Sequence, residues 1–239
     1  MAAQRPCLAP FQLVHRVYHH VQRPIDPSHL ANLTTAISTC RSQIPIDSSY
    51  NTSTQPDLQQ LCEAIGQFFF GTQALGSAWF SWDGRLFIDT GSLGVTDICG
   101  DRLTVKIEPY PDRDPVWSLG ASRADSIFNI ALHECVHLLF RVCAAERDCG
   151  HARCKSIFDK ELGKFGHGDA FLCLASIVER HARQHGLWNV DLNLKRVAQT
   201  YVMEDERFVR RETVLVCWPE ESLWHRFNDD GVLELHWYP

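Results

Sequence analysis

From Arg123 to Ala145 the chain is apolar on almost every side of a helix. Ile127, Phe128, Ile130, Ala131, Leu132, Val136, Leu138, Leu139 and Phe140 leave no broad polar face. Such a helix is buried on most sides, so the rest of the chain has to be built around it. Yet it carries His133, Glu134 and His137 in its middle. Polar groups cost free energy to bury and persist in a core only when something satisfies them. Positions four apart lie on one helical face, so both imidazoles can reach the same ion.

His133-Glu134-Cys135-Val136-His137 is an HExxH pattern. Two imidazoles at that spacing can share one tetrahedral zinc, with Glu134 angled towards a coordinated water. Zinc lowers the pKa of such a water towards ~7, and the carboxylate takes its proton. Catalytic zinc keeps three protein ligands and one open position, so a third ligand is required. His151, His167, Asp169 and Glu179 are the candidates. His167 is favoured, because Gly166 and Gly168 flank it and a helix follows. Glycines let the backbone bring a side chain close to a buried ion. His151, also after a glycine, is the rival.

The surrounding pattern reads as α+β. Helices are expected over 11–21, 27–41, 57–71 and 169–184, with Asp26 and Asp57 as caps and Gly71 as a stop. Asp83-Gly84 between 78–82 and 86–90 predicts a hairpin. A strand over 103–107 ends at Pro109, and is expected along the edge of a substrate cleft. Residues 42–56, 111–121 and 145–167 read as loops. Three short strands, 213–218, 222–227 and 232–237, would form a C-terminal β-meander. The expected division is a helical lead-in over 1–56, a core domain over 57–190 and an extension over 191–239.

These residues resemble the SprT-like zinc metallopeptidases, the Spartan-type HExxH domain. The likeness rests on Trp79-Phe80-Ser81-Trp82, on Leu103 to Pro109, on Ile130 to Phe140 and on Gly166-His167-Gly168-Asp169-Ala170-Phe171. It spans about 57–185. It implies a zincin-like fold, with a small antiparallel sheet before the active-site helix. It also implies peptide-bond hydrolysis, with His167 as third zinc ligand. Two departures stand out. Twenty-nine residues separate His137 from His167, a longer gap than the family pattern, and Cys149-Gly-His-Ala-Arg-Cys154 within it is a degenerate second copy of the histidine element. Only Cys217 lies beyond residue 173, so the tail holds no four-cysteine zinc ribbon.

The remaining residues bound the reading. Cys143, Cys149 and Cys154, with His151, are a candidate second, structural metal site, although no CxxC pair marks it. Cys135 reads as buried rather than nucleophilic. His19, His20, His181 and His185 read as solvated on polar helix faces, and His225 and His236 as solvent-facing in the tail. Tyr201 is an oxyanion donor only if the fold brings it to the site. Trp218, Trp224 and Trp237 read as packing for the tail sheet. A net charge of −6 argues against strong nucleic-acid binding. Ten cysteines in a chain with 45% hydrophobic residues need no disulfide framework and suggest reduced thiols. The absence of a signal-peptide pattern or an apolar run near ~20 residues gives an intracellular expectation, cytoplasmic or nuclear, without a membrane partner. The expected activity is a zinc metallopeptidase acting on a protein or peptide. The alternatives are a zinc enzyme acting on a small molecule and a non-catalytic metal-binding module.

Overall fold

The computed structural model describes residues 8–44, 57–99, 102–114, 122–144, 152–163, 166–194, 196–198, 226–227 and 233–234. Packing gathers the chain into two units. One is His19–Val142 with His181–Leu192; the other is Met1–Tyr18, Cys143–Arg180 and Asn193–Pro239.

In the first unit, local chemistry starts and stops the helices. The Asp26 carboxylate accepts the Ser28 N–H at the start of α2 (Pro27–Gln43). Asp57 accepts from the Gln59 and Gln60 N–H groups at the start of α3 (Leu58–Phe70), and Gly71 ends α3 at φ 62°. A side chain at Gly71 would also meet the His20 ring at 2.7 Å. The two helices pack together and bury Leu33, Ile37, Leu61, Ile65 and Phe69.

The sheet holds β1 (Trp79–Trp82), β2 (Gly94–Cys99) and β3 (Arg102–Ile107), in the order β1-β3-β2. It is mixed rather than antiparallel: β1 pairs β3 in parallel and β2 pairs β3 antiparallel. The expected hairpin is absent, because 86–90 is the short helix α4 (Leu86–Thr90). Parallel neighbours need a crossover and cannot be joined by a two-residue turn. Asp83 caps the turn instead, accepting the Arg85 N–H at 3.1 Å. The fully buried Glu108 carboxylate accepts the Phe87 N–H at 3.0 Å and pairs with Arg113 at 3.0 Å. The expectation that the strand over 103–107 lines a cleft edge also fails. It is β3, the central strand, with both sides paired, and the edges belong to β1 and β2.

The long apolar helix is α5 (Arg123–Cys143), buried over most of its length. By length and composition it could cross a membrane, yet 72% of its most apolar window lies inside the protein. Asn129 holds the segment after α7 against it. The Asn129 Oδ1 accepts from Trp188 Nε1 at 2.8 Å and from the Asp191 N–H at 3.3 Å, while its Nδ2 donates to the Asn189 carbonyl at 3.3 Å.

The second unit contains α1 (Pro10–Val21) as far as Tyr18, α6 (Ala152–Leu162) and α7 (Asp169–Gln184) as far as Arg180. The expected loop over 145–167 therefore contains a helix. Its buried stripe is thin, chiefly Phe158 and Leu162 four residues apart, which is why the polar stretch hid it. Glu161 of α6 accepts the Phe11 N–H of α1 at 3.0 Å. α7 buries Ala170, Phe171, Leu172, Leu174 and Val178. In the tail, β4 (Arg226–Phe227) and β5 (Leu233–Glu234) pair antiparallel. The strand expected over 213–218 lies outside the described residues, as do Tyr201, Trp218, Trp224, His225, His236 and Trp237. The architecture is mixed α and β.

Candidate metal centre

One turn of α5 carries the two motif histidines. His133 is buried, and its Nε2 lies 3.2 Å from Nε2 of His137, the rings meeting edge to face. Two nitrogens ~2.05 Å from a tetrahedral zinc are ~3.3 Å apart, so this pair is spaced as co-ligands. His167 stands in a loop shaped by its glycines. Gly166 adopts φ 81°, a conformation that side chains resist. A side chain at Gly168 would come within 2.7 Å of the Leu162 backbone, and the Gly168 N–H donates to the Leu162 carbonyl at 2.8 Å. The imidazole packs edge-on against Phe171 at 5.0 Å, one helical turn further on. The ligand atoms of His133, His137 and His167 all lie within 4.8 Å of one another. Three imidazole nitrogens suit zinc and also copper, iron or nickel.

Among the described residues, this is the group of His, Cys, Asp and Glu ligands close enough to hold an ion. Asp169 and Glu179, buried on α7, are not members of it. His151 and Cys149 lie outside the described residues, and Cys154 is described only as part of the α6 backbone. Cys143 closes α5. The second, cysteine-based site therefore falls largely outside what is described.

Glu134 points to the sheet. Its carboxylate accepts a hydrogen bond from Thr96 Oγ1 of β2 at 2.7 Å, and Gly94 of β2 lies directly against it. Burial pushes the carboxyl up to about 7, and the Thr96 hydrogen bond works in the opposite direction. Thr96 and Gly94 were absent from the sequence reading. β2 reads Gly94-Val-Thr-Asp-Ile-Cys99, with Gly94 at its start and no apolar alternation, so little strand signal is legible there. Cys135 faces the core as expected: it is buried, reduced and hydrogen-bonded with Cys62 of α3, whose thiol is pushed well up by burial.

The four histidines read as solvated divide. His19 and His185 are exposed. His20 is half-buried, its Nε2 3.1 Å from the Phe68 carbonyl. His181 is buried, against the expectation, with Phe68 at 5.3 Å and Phe69 at 6.0 Å. Burial and the neighbouring His185 and His20 lower its pKa to about 4.

Compared with known protein families, curated proteins and solved structures, the chain matches none.

Proposed function

We propose that the chain is a zinc-dependent metallopeptidase in which His133, His137 and His167 hold the ion and Glu134 is the general base. The observation that supports this most is the gathering of the His133, His137 and His167 ligand atoms within 4.8 Å of one another, with the buried carboxylate of Glu134 next to His133 on α5. Three neutral nitrogen donors beside one carboxylate suit a hydrolytic zinc site. When bound, zinc supplies Lewis acidity towards the scissile carbonyl and the attacking water. Glu134 takes a proton from that water, holds it, and returns it to the leaving amine. β2 is an edge strand beside Glu134, so an extended peptide can add to it through backbone hydrogen bonds. A protein or peptide is accordingly the proposed substrate. At a net charge of −6, DNA binding is expected to be weak and lost at modest salt.

The test is zinc content by elemental mass spectrometry together with turnover of an unfolded protein. About one zinc per chain is expected, weakened by His167→Ala and retained in Glu134→Gln, which should lose turnover. Protein purified without chelator that holds no zinc, or a Glu134→Gln variant that keeps its turnover, overturns the proposal. Zinc with Glu134-dependent turnover of small esters or amides alone would favour the small-molecule alternative. Zinc without any turnover would favour the binding module.

A further inference from the structure

We infer that Thr96 is the positioning residue for the Glu134 carboxylate and that Gly94 is the gap in β2 that admits it; the inference rests on the reading of Glu134 as general base. The register of the sheet places both residues. Gly94 pairs with Ile107 and Thr96 with Val105. Side chains alternate along a strand, so Gly94 and Thr96 share the face that carries the fully buried Val105 and Ile107. Glu134 meets that face from α5. Thr96 Oγ1 lies 2.7 Å from Glu134 Oε2 and 3.2 Å from the Glu134 backbone carbonyl. The hydroxyl has one proton, and the closer carboxylate oxygen takes it. A Cβ added at Gly94 would sit 2.6 Å from Oε1, 2.7 Å from Cγ and 2.9 Å from Cδ, closer than real Cβ atoms come. No other amino acid fits there unless the carboxylate moves.

Together the two positions act as a grip. A glutamate carboxylate turns about a broad terminal torsion, and its two oxygens are interchangeable unless something distinguishes them. Thr96 engages Oε2, while Oε1 lies over bare glycine backbone. One oxygen is thus fixed and the other left to take a proton. A general base needs its accepting atom within hydrogen-bond reach of that proton, so fixing the torsion acts on the rate of the step more than on substrate binding.

The experiment compares zinc-loaded wild type with Thr96→Val, which keeps the shape and removes the hydroxyl, and Thr96→Ser, which keeps the hydroxyl. Thr96→Val should lower kcat by about 10- to 100-fold with KM unchanged, and Thr96→Ser should recover most of it. Equal kcat in wild type and Thr96→Val, or a serine variant as slow as the valine one, overturns the inference. A cycle of melting temperatures on metal-free protein reads the same grip without activity. Gly94→Ala should lower the melting temperature in wild type and much less in a Glu134→Ala background, where the space is open. Equal shifts in both backgrounds overturn the inference. If wild type shows no Glu134-dependent turnover, the functional reading falls, and the melting cycle alone decides whether β2 places the carboxylate.

Discussion

Asn129 sits one turn before His133 and makes three hydrogen bonds to the segment after α7. Replacing it with alanine removes all three, and the losses are unequal. Trp188 is buried, so its indole N–H would be stranded away from water, at about 1–3 kcal/mol. Asp191 is exposed, so its N–H can turn to solvent, and that bond counts only at its net worth of about 0.5–1.5 kcal/mol. The Asn189 carbonyl is treated in the same way. The total is about 2–6 kcal/mol, and its midpoint of about 4 kcal/mol is a fall of roughly 8–16 °C in melting temperature for a chain of this size. Guanidinium unfolding at fixed slope is the assay. The decisive comparison is a second background, Trp188→Phe, in which no indole donor remains to be stranded. Asn129→Ala should cost about 1–3 kcal/mol less there. A cost under about 1 kcal/mol in wild type, or the same cost in both backgrounds, would refute the account of Asn129 as the acceptor that holds this segment.

Two further outcomes follow from the packing. His181 has a folded pKa of about 4 against an ordinary 6.5, so the folded chain keeps it neutral while the unfolded chain protonates it. Its contribution is intact above about pH 6.5 and is lost as pH falls towards 4. After allowance for solvent screening this is roughly 1–2 kcal/mol, and His181→Phe should flatten that part of the unfolding midpoint against pH. Gly168→Ala forces a methyl to within 2.7 Å of the Leu162 backbone, where no flexible side chain can yield. It should cost about 1–3 kcal/mol, and an unchanged melting temperature would count against the glycine's packing role.

What could be read from the residues was what they settle locally. Asp26, Asp57 and Gly71 mark helix ends by their own hydrogen bonds and dihedrals, and they did so where expected. α5 declared itself by apolar residues on every side, and its histidines by their spacing. His167 could be singled out because glycines flank it on both sides and a helix follows. What stayed hidden depended on distant partners. Asp83-Gly84 looks like a hairpin until β3, twenty or so residues on, takes β1 as a parallel neighbour. Gly94 looks like a strand breaker until the carboxylate of Glu134 occupies its place. α6 offers too thin a stripe to be recognised alone, and His181 lies on the same face of α7 as the buried Leu174, Ile177 and Val178, where two phenylalanines cover it.

The strand order has a consequence for how the molecule comes into being. β3 is the last of the three strands in sequence and the middle one in space. As the chain leaves the ribosome, β1 and β2 emerge with no neighbour to pair with, and neither can lie beside the other. The sheet can close only after Ile107 is available. α5 comes after that strand in sequence and sets Glu134 against Thr96 and Gly94 of β2. Synthesis thus delivers the site's framework late and all at once, and a nascent chain halted before residue 102 would hold two unpaired strand segments, the state most open to aggregation.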